Sequence, residues 1–134
     1  MPPPYDVYNF LNLLGITLDE TETGPLSGRF TVTHALIAGT GYLWAPVVIT
    51  LADALCAFGV RRNWPDNATS FTTVESKANF LSSALEDEVV SGLATPLHLG
   101  RTTQVWDATV TNESTGRTMA AYRCTQLILY PRAG

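Results

Sequence analysis

Pro46-Val-Val-Ile-Thr-Leu-Ala-Asp-Ala-Leu-Cys-Ala-Phe-Gly-Val60 is the stretch on which the fold turns. It is apolar on nearly every side over helical length, so it reads as a helix wrapped by protein rather than one lying on a surface. From Ala35 to Val60 the single charged residue is Asp53. An unpaired carboxylate in such surroundings costs about 2–5 kcal/mol. Either Asp53 is satisfied by hydrogen bonds in a cavity, or it does chemistry with a raised pKa.

The flanks give this helix its ends. Pro46 suits the first helical position, where its missing N–H is no loss. Gly59 followed by Arg61-Arg62 fits the C-terminus, the arginines countering the negative end of the dipole. A glycine-containing loop, Ala38-Gly-Thr-Gly-Tyr-Leu-Trp44, opens the helix, and Asn63-Trp-Pro-Asp-Asn67 leaves it. Upstream, Pro2-Pro3-Pro4 is a non-helical lead and Tyr5–Leu14 predicts a short helix with Val7, Phe10, Leu11 and Leu14 on one side. Ile16–Thr23 and Leu26–His34 predict two strands joined at Gly24-Pro25. Downstream, Ser70–Phe80, Glu88–Pro96, Thr103–Asn112 and Thr118–Tyr130 are rich in Thr, Val, Tyr and Phe and read as strands, with Asn112-Glu-Ser-Thr-Gly116 a turn. Strands, one long helix and an antiparallel meander make an α+β protein whose sheet buries the helix on its concave face.

Composition agrees with this. The 134 residues make one domain, 1–134, able to bury a core without metal or disulfide staples. Charged residues are 15% against 46% hydrophobic ones, less charge than usual, which points to surface hidden by other subunits. A net charge of −4, a pI of about 4.9 and the lack of a basic run argue against nucleic acid as the partner. Cys56 and Cys124 lie in apolar runs and read as free buried thiols of a reducing cytosol. No secretory signal is visible, so the expected location is the cytoplasm. Pro46–Val60 is too short, and broken by Asp53, to span a membrane.

Motifs for other chemistries are absent. There is no Gly-x-Ser-x-Gly, no Cys-x-x-Cys and no His-Glu-x-x-His, and His34 and His98 stand far apart. No metal site is expected. What remains is the carboxylate of Asp53 and the N-terminus of its helix, whose free amides and positive dipole end suit a carbonyl oxygen that gains charge. Asp53 lies eight residues after Ala45, roughly 12 Å along the axis. A reacting carbonyl must sit about 3 Å from both groups, so one helix cannot serve one substrate with both. Two antiparallel helices across a two-fold axis could, with Ala45 of one chain facing Asp53 of the other.

Leu51-Ala-Asp-Ala54 in this helix, with Ala38-Gly-Thr-Gly-Tyr-Leu-Trp-Ala-Pro46 before it, resembles the hotdog-fold acyl-CoA thioesterases of the phenylacetic-acid-degradation (PaaI-like) type. Thr73-Val-Glu-Ser-Lys-Ala-Asn-Phe-Leu81 is similar to that family's strand after the helix, and His98-Leu-Gly-Arg-Thr-Thr-Gln-Val-Trp-Asp107 and Gly116-Arg-Thr-Met-Ala120 to its later strands. The resemblance runs from about Gly28 to Tyr130. The family pattern is Asn-x-x-Gly-x-x-His-Gly-Gly; here its Asn falls on Ala38 and its His-Gly-Gly on Trp44-Ala45-Pro46, while Gly41 and Asp53 match.

The resemblance implies a hotdog fold, an antiparallel sheet around one long central helix, assembled as a homodimer or a dimer of dimers. It implies hydrolysis of an acyl-coenzyme A thioester. Asp53 would be general base on water, or nucleophile through an acyl-enzyme anhydride, and the Ala45 N–H the oxyanion donor. Thr73 falls where some relatives keep a Ser or Thr that orients the water. Gly41 and Trp44 border the expected pocket, and Trp44 adds bulk able to stack on an aromatic acyl group. Arg101, beside Thr102, is a candidate phosphate contact for coenzyme A, and Asn79 either bonds a ligand or the sheet. Trp64, Trp106 and Tyr122 read as core or interface aromatics. No cofactor is implied beyond coenzyme A as part of the substrate. The alternative is a non-catalytic acyl-CoA-binding protein that has lost the His-Gly-Gly loop.

Overall fold

The computed structural model describes residues 8–19 and 21–132. Pro2-Pro3-Pro4 and the first residues of the expected Tyr5–Leu14 helix lie outside them. The elements are α1 (Asn9–Leu14), β1 (Thr17–Leu18), β2 (Leu26–Thr31), a 3-10 turn (His34–Leu36), α2 (Ala45–Arg62), β3 (Ser70–Phe80), β4 (Val89–Leu99), β5 (Thr103–Asn112) and β6 (Arg117–Leu129). The strands form one six-stranded antiparallel sheet in the order β1-β2-β4-β5-β6-β3. α2 packs on one face of it, against β2, β4, β5 and β6.

Period-2 alternation places the core. On β5, Gln104, Trp106, Ala108, Val110 and Asn112 are buried toward α2; on β6, Tyr122, Cys124, Gln126 and Ile128 are. From α2, Val47, Val48, Leu51, Ala52, Leu55, Cys56, Gly59 and Val60 meet them. Burying a side chain of Val or Leu size contributes about 1.5–3 kcal/mol, so this seam is where the stability is concentrated.

Three expectations need correction. Ile16–Thr23 is not a full strand: only Thr17–Leu18 pairs, because the Asp19 carboxylate accepts from Ser27 Oγ and the Asp19 carbonyl accepts from Thr21 N–H, which turns the chain away. The strand Leu26–His34 stops at Thr31, and His34 belongs to the 3-10 turn, its Nδ1 3.3 Å from Glu86 Oε2 on the surface. The four later strands are not one sequential meander: β4, β5 and β6 are, but β3 crosses to the far edge beside β6.

The helix also differs from expectation in what surrounds it. It begins at Ala45, one residue before Pro46, and runs to Arg62, where the Asn63 amide and side chain cap the carbonyl of Gly59. Arg62 donates to the carbonyls of Thr21 and Gly24, and Arg61 lies over the Phe58 ring. Only the sheet-facing side is sealed; Ile49, Thr50, Asp53, Ala54, Ala57 and Phe58 are half-buried.

Gly59 is therefore not a helix terminator but a packing site. A Cβ there would lie 2.5 Å from the Trp106 indole, whose Nε1 donates to Gln104 Oε1 and whose ring has nowhere to retreat. Gly59→Ala gains helix propensity of about 0.8–1.0 kcal/mol but overpacks the seam by about 1–3 kcal/mol. We expect net destabilisation in urea titration; a higher midpoint would show that Trp106 can move aside.

Candidate functional site

The loop before α2 is shaped by its own bonds. The Gly41 amide donates to the Ala38 carbonyl, Ala38 N–H to the Tyr42 carbonyl, and Gly41 takes φ +88°, a conformation a side chain disfavours. Leu43 N–H donates to the Ala84 carbonyl and Trp44 N–H to the Leu36 carbonyl, which fixes where the helix starts. Trp44 is the N-cap residue, extended at φ −60° and ψ 130°, and its side chain is 52% exposed. No side chain caps this end and no acidic residue occupies its first turn. Among the described residues the Ala45 amide has no acceptor, so a free donor stands at the positive end of an 18-residue helix.

Beside it is a hollow of about 260 Å³ lined by Phe10, Leu14, Leu36, Trp44, Pro46 and Val47, among others. Of the expected site residues Trp44 lines this hollow, whereas Gly41 shapes the loop and is not part of its wall. Asp53 is two turns further along α2, at the depth expected from its spacing.

Asp53 is neither sealed in nor unpaired. Its Oδ1 accepts a hydrogen bond of 2.9 Å from the Tyr122 hydroxyl, while Oδ2 has no partner among the described residues. Tyr122 comes from β6, its ring 4% exposed. Burial first, then the charge of Asp53, pushes the Tyr122 phenol well up from its ordinary value, so it stays a donor at any working pH. One helical turn on, Cys56 meets Cys124 of the same strand; both are free thiols in the core. Their mutual hydrogen bond and burial push the Cys56 thiol up.

Thr73 lies on the helix side of the sheet but on β3, where its hydroxyl donates to Gln126 Oε1 at 2.9 Å. Gln126 is four residues beyond Tyr122 on β6, about 13 Å at 3.3 Å per residue, so Thr73 and Asp53 are held by different parts of one strand. Arg101 and Thr102 sit in the β4–β5 turn, toward the C-terminal end of α2. The Arg101 guanidinium lies over the Tyr130 ring at 5.4 Å and the Tyr130 hydroxyl donates to the Arg101 carbonyl. The Thr102 carbonyl accepts from Ile128 N–H. A cleft there, about 560 Å³, is bordered by Asn63, Asp66, Leu99 and Arg101.

Asn79 is not brought to this side. It pairs with Ala121 and borders a separate cleft of about 340 Å³ on the outer face, with Lys77, Asp107 and Arg123. Sequence reasoning missed the role of Tyr122; alternation on β6 marks it as inward-facing, but nothing local marks it as the partner of a residue 69 positions away. Among the described residues no group of His, Cys, Asp and Glu side chains is placed to hold a metal ion, and no helix is long and apolar enough to cross a membrane.

A six-stranded antiparallel sheet packed on one long helix, with the helix N-terminus left open, defines a hotdog-fold protein. Residues 40–120 match the model of the thioesterase superfamily, and the chain belongs to that superfamily. It is 30% identical over 112 residues to the 1,4-dihydroxy-2-naphthoyl-CoA hydrolase of Listeria monocytogenes serotype 1/2a (strain 10403S), covering 84% of this chain and 89% of that one. A mutant thioesterase from Staphylococcus aureus subsp. aureus Mu50 superposes with a TM-score of 0.80 at 27% identity, covering 90% of this chain and 98% of the other. The PaaI protein from the phenylacetic acid degradation operon of E. coli shares the fold, with a TM-score of 0.78 at 20% identity over 90% of this chain and 83% of that one. With the PaaI protein the chain shares its fold, and thioester hydrolysis is the chemistry of its superfamily.

Proposed function

We propose that the protein hydrolyses an acyl-coenzyme A thioester at a site completed between two copies of the chain. The observation that carries this reading is the pair of unengaged groups on α2: the Ala45 N–H and Asp53 Oδ2. They are too far apart on one helix to act on one carbonyl, and a two-fold partner supplies the missing half. The open edge of the sheet supports a dimer. β3 is eleven residues long with none buried, Val74 and Phe80 are exposed, and among the described residues no strand lies beyond it. A long bare edge of this kind calls for a partner.

In this reading the thioester carbonyl oxygen accepts from the Ala45 N–H. With Asp53 as base, its Oδ2 takes a proton from water as the water oxygen bonds to the carbonyl carbon, and the negative charge moves to the carbonyl oxygen. Collapse breaks the C–S bond. The coenzyme A thiolate leaves and takes the proton back from Asp53, giving the free acid and the thiol. With Asp53 as nucleophile, the same oxygen bonds to the carbonyl carbon and the C–S bond breaks as the coenzyme A thiolate leaves. Water then opens the resulting anhydride, returning the Asp53 carboxylate and the acyl acid while the thiolate takes up the water's proton. Arg101 with Thr102 meets the coenzyme A end, and Thr73, its hydroxyl donating to Gln126, is given no contact with the water Asp53 activates. No metal or organic cofactor takes part.

Thiol release from purified protein over a panel of acyl-CoAs tests the proposal. The loop sequence Trp44-Ala45-Pro46 favours a second reading, because Pro46 has no amide to offer beside Ala45. Coenzyme A thioesters that bind and are not cleaved would establish the non-catalytic binding protein instead.

The hollow beside Ala45 is where this reading puts the acyl group, with Trp44 stacked on an aromatic one. Such stacking contributes about 0.5–1.5 kcal/mol, a factor of roughly two to ten. Trp44→Ala should raise KM for benzoyl-CoA by that factor while leaving KM for acetyl-CoA unchanged. Equal effects on both substrates would remove Trp44 from the acyl site.

A further inference from the structure

We propose that Tyr122 is the positioning residue of the site: its hydroxyl holds Asp53 Oδ1 so that Oδ2 alone is presented to the reacting water or carbonyl. The proposal rests on the functional reading of Asp53 given above. A carboxylate on a helix has two equivalent oxygens and free rotation about its last bond. Here one oxygen is fixed by a phenol on β6 that is itself buried under α2, 4% exposed and flanked by Ala108 of β5 and Ala78 of the edge strand. The other oxygen has no partner among the described residues and sits on the half-buried side of α2. A tyrosine that served the core alone would need some acceptor for its hydroxyl, but not the one carboxylate in the apolar stretch from Ala35 to Val60.

The surroundings leave Tyr122 as the neutral donor. The other titratable groups facing Asp53 are the thiols Cys56 on α2 and Cys124 on β6; Asp107 of β5 lies on the outer face, tied to Arg123 at 2.6 Å. None of these bonds the carboxylate.

The test compares the parent, Tyr122→Phe and Asp53→Asn, with benzoyl-CoA and hexanoyl-CoA as probes and thermal melting as the control for folding. Loss of orientation without loss of contact area should lower kcat about ten- to hundredfold with KM unchanged. A purely structural role would show in the melting temperature, whereas orientation of Asp53 is read in kcat with KM and melting unchanged. Placing 3-fluorotyrosine at position 122 keeps the ring and the donor, and should restore kcat. If Tyr122→Phe melts like the parent with unchanged kcat while Asp53→Asn is inactive, Tyr122 only packs and the proposal falls. If Asp53→Asn is as active as the parent, the functional reading fails first and takes this assignment with it. Should Tyr122→Phe not fold, 4-fluorophenylalanine at position 122, which keeps the bulk at the ring's end and removes the donor, decides alone: a parental kcat overturns the proposal.

Discussion

Asp53→Asn is expected to lower thioester turnover by roughly 10²–10⁴-fold, the usual span for removing a positioned base. The fold should survive. The amide is nearly isosteric, its carbonyl oxygen can still accept from the Tyr122 hydroxyl, and the side chain is half-buried rather than sealed, so the new N–H groups reach solvent. Stability and activity therefore separate in this variant, and both should be measured: kcat from thiol release, and the melting temperature. Unchanged kcat would make Asp53 a structural partner of Tyr122 and nothing more. A collapse of the melting temperature together with activity would say that the bond to Tyr122 holds the helix to the sheet.

The architecture was readable because its signals are local. Ser70–Phe80 and Thr103–Asn112 are strands with the bounds their β-branched and aromatic residues suggested. The central helix was off by one residue at its start and two at its end, since Arg61 and Arg62 continue it until Asn63 caps the carbonyl of Gly59. What local signals cannot carry is pairing. The same period-2 pattern fits β3 in the middle of a sheet or at its edge, and the exposure of Val74 and Phe80 is invisible until β6 takes its other neighbour.

The candidate site was legible to a similar degree. An acid in an apolar helix and a glycine loop at that helix's N-terminus are sequence features, so Asp53 and Ala45 could be singled out. Their partners were not. The Tyr122–Asp53 and Thr73–Gln126 bonds join residues 69 and 53 positions apart, and each depends on strand register rather than on residue type. Asn79 shows the same limit. One residue along β3 from the helix-facing Ala78, it points to the other face of the sheet.

The composite site itself makes the second large prediction. Ala45→Pro removes the proposed oxyanion donor and little else. Its amide has no acceptor among the described residues, proline is tolerated in the first helical turn, and Trp44 already has the extended conformation that a following proline requires. Losing one such donor lowers kcat by about 10²–10³-fold. Alone, then, both Ala45→Pro and Asp53→Asn are nearly inactive, for different reasons. In a two-fold dimer mixed from the two variants, one site combines both lesions, while the other joins the intact Ala45 of one chain to the intact Asp53 of its partner. After subunit exchange at equal concentrations, half of the dimers are mixed and each carries one intact site in two, so activity should recover to about one quarter of the parent. Recovery of that size cannot come from a site contained in one chain, because no single chain in the mixture holds both groups. A mixture no more active than the mean of its components, under conditions where labelled subunits demonstrably exchange, would mean that Ala45 and Asp53 do not meet across a dimer axis. An Ala45→Pro protein as active as the parent would mean that the oxyanion is held by some other donor.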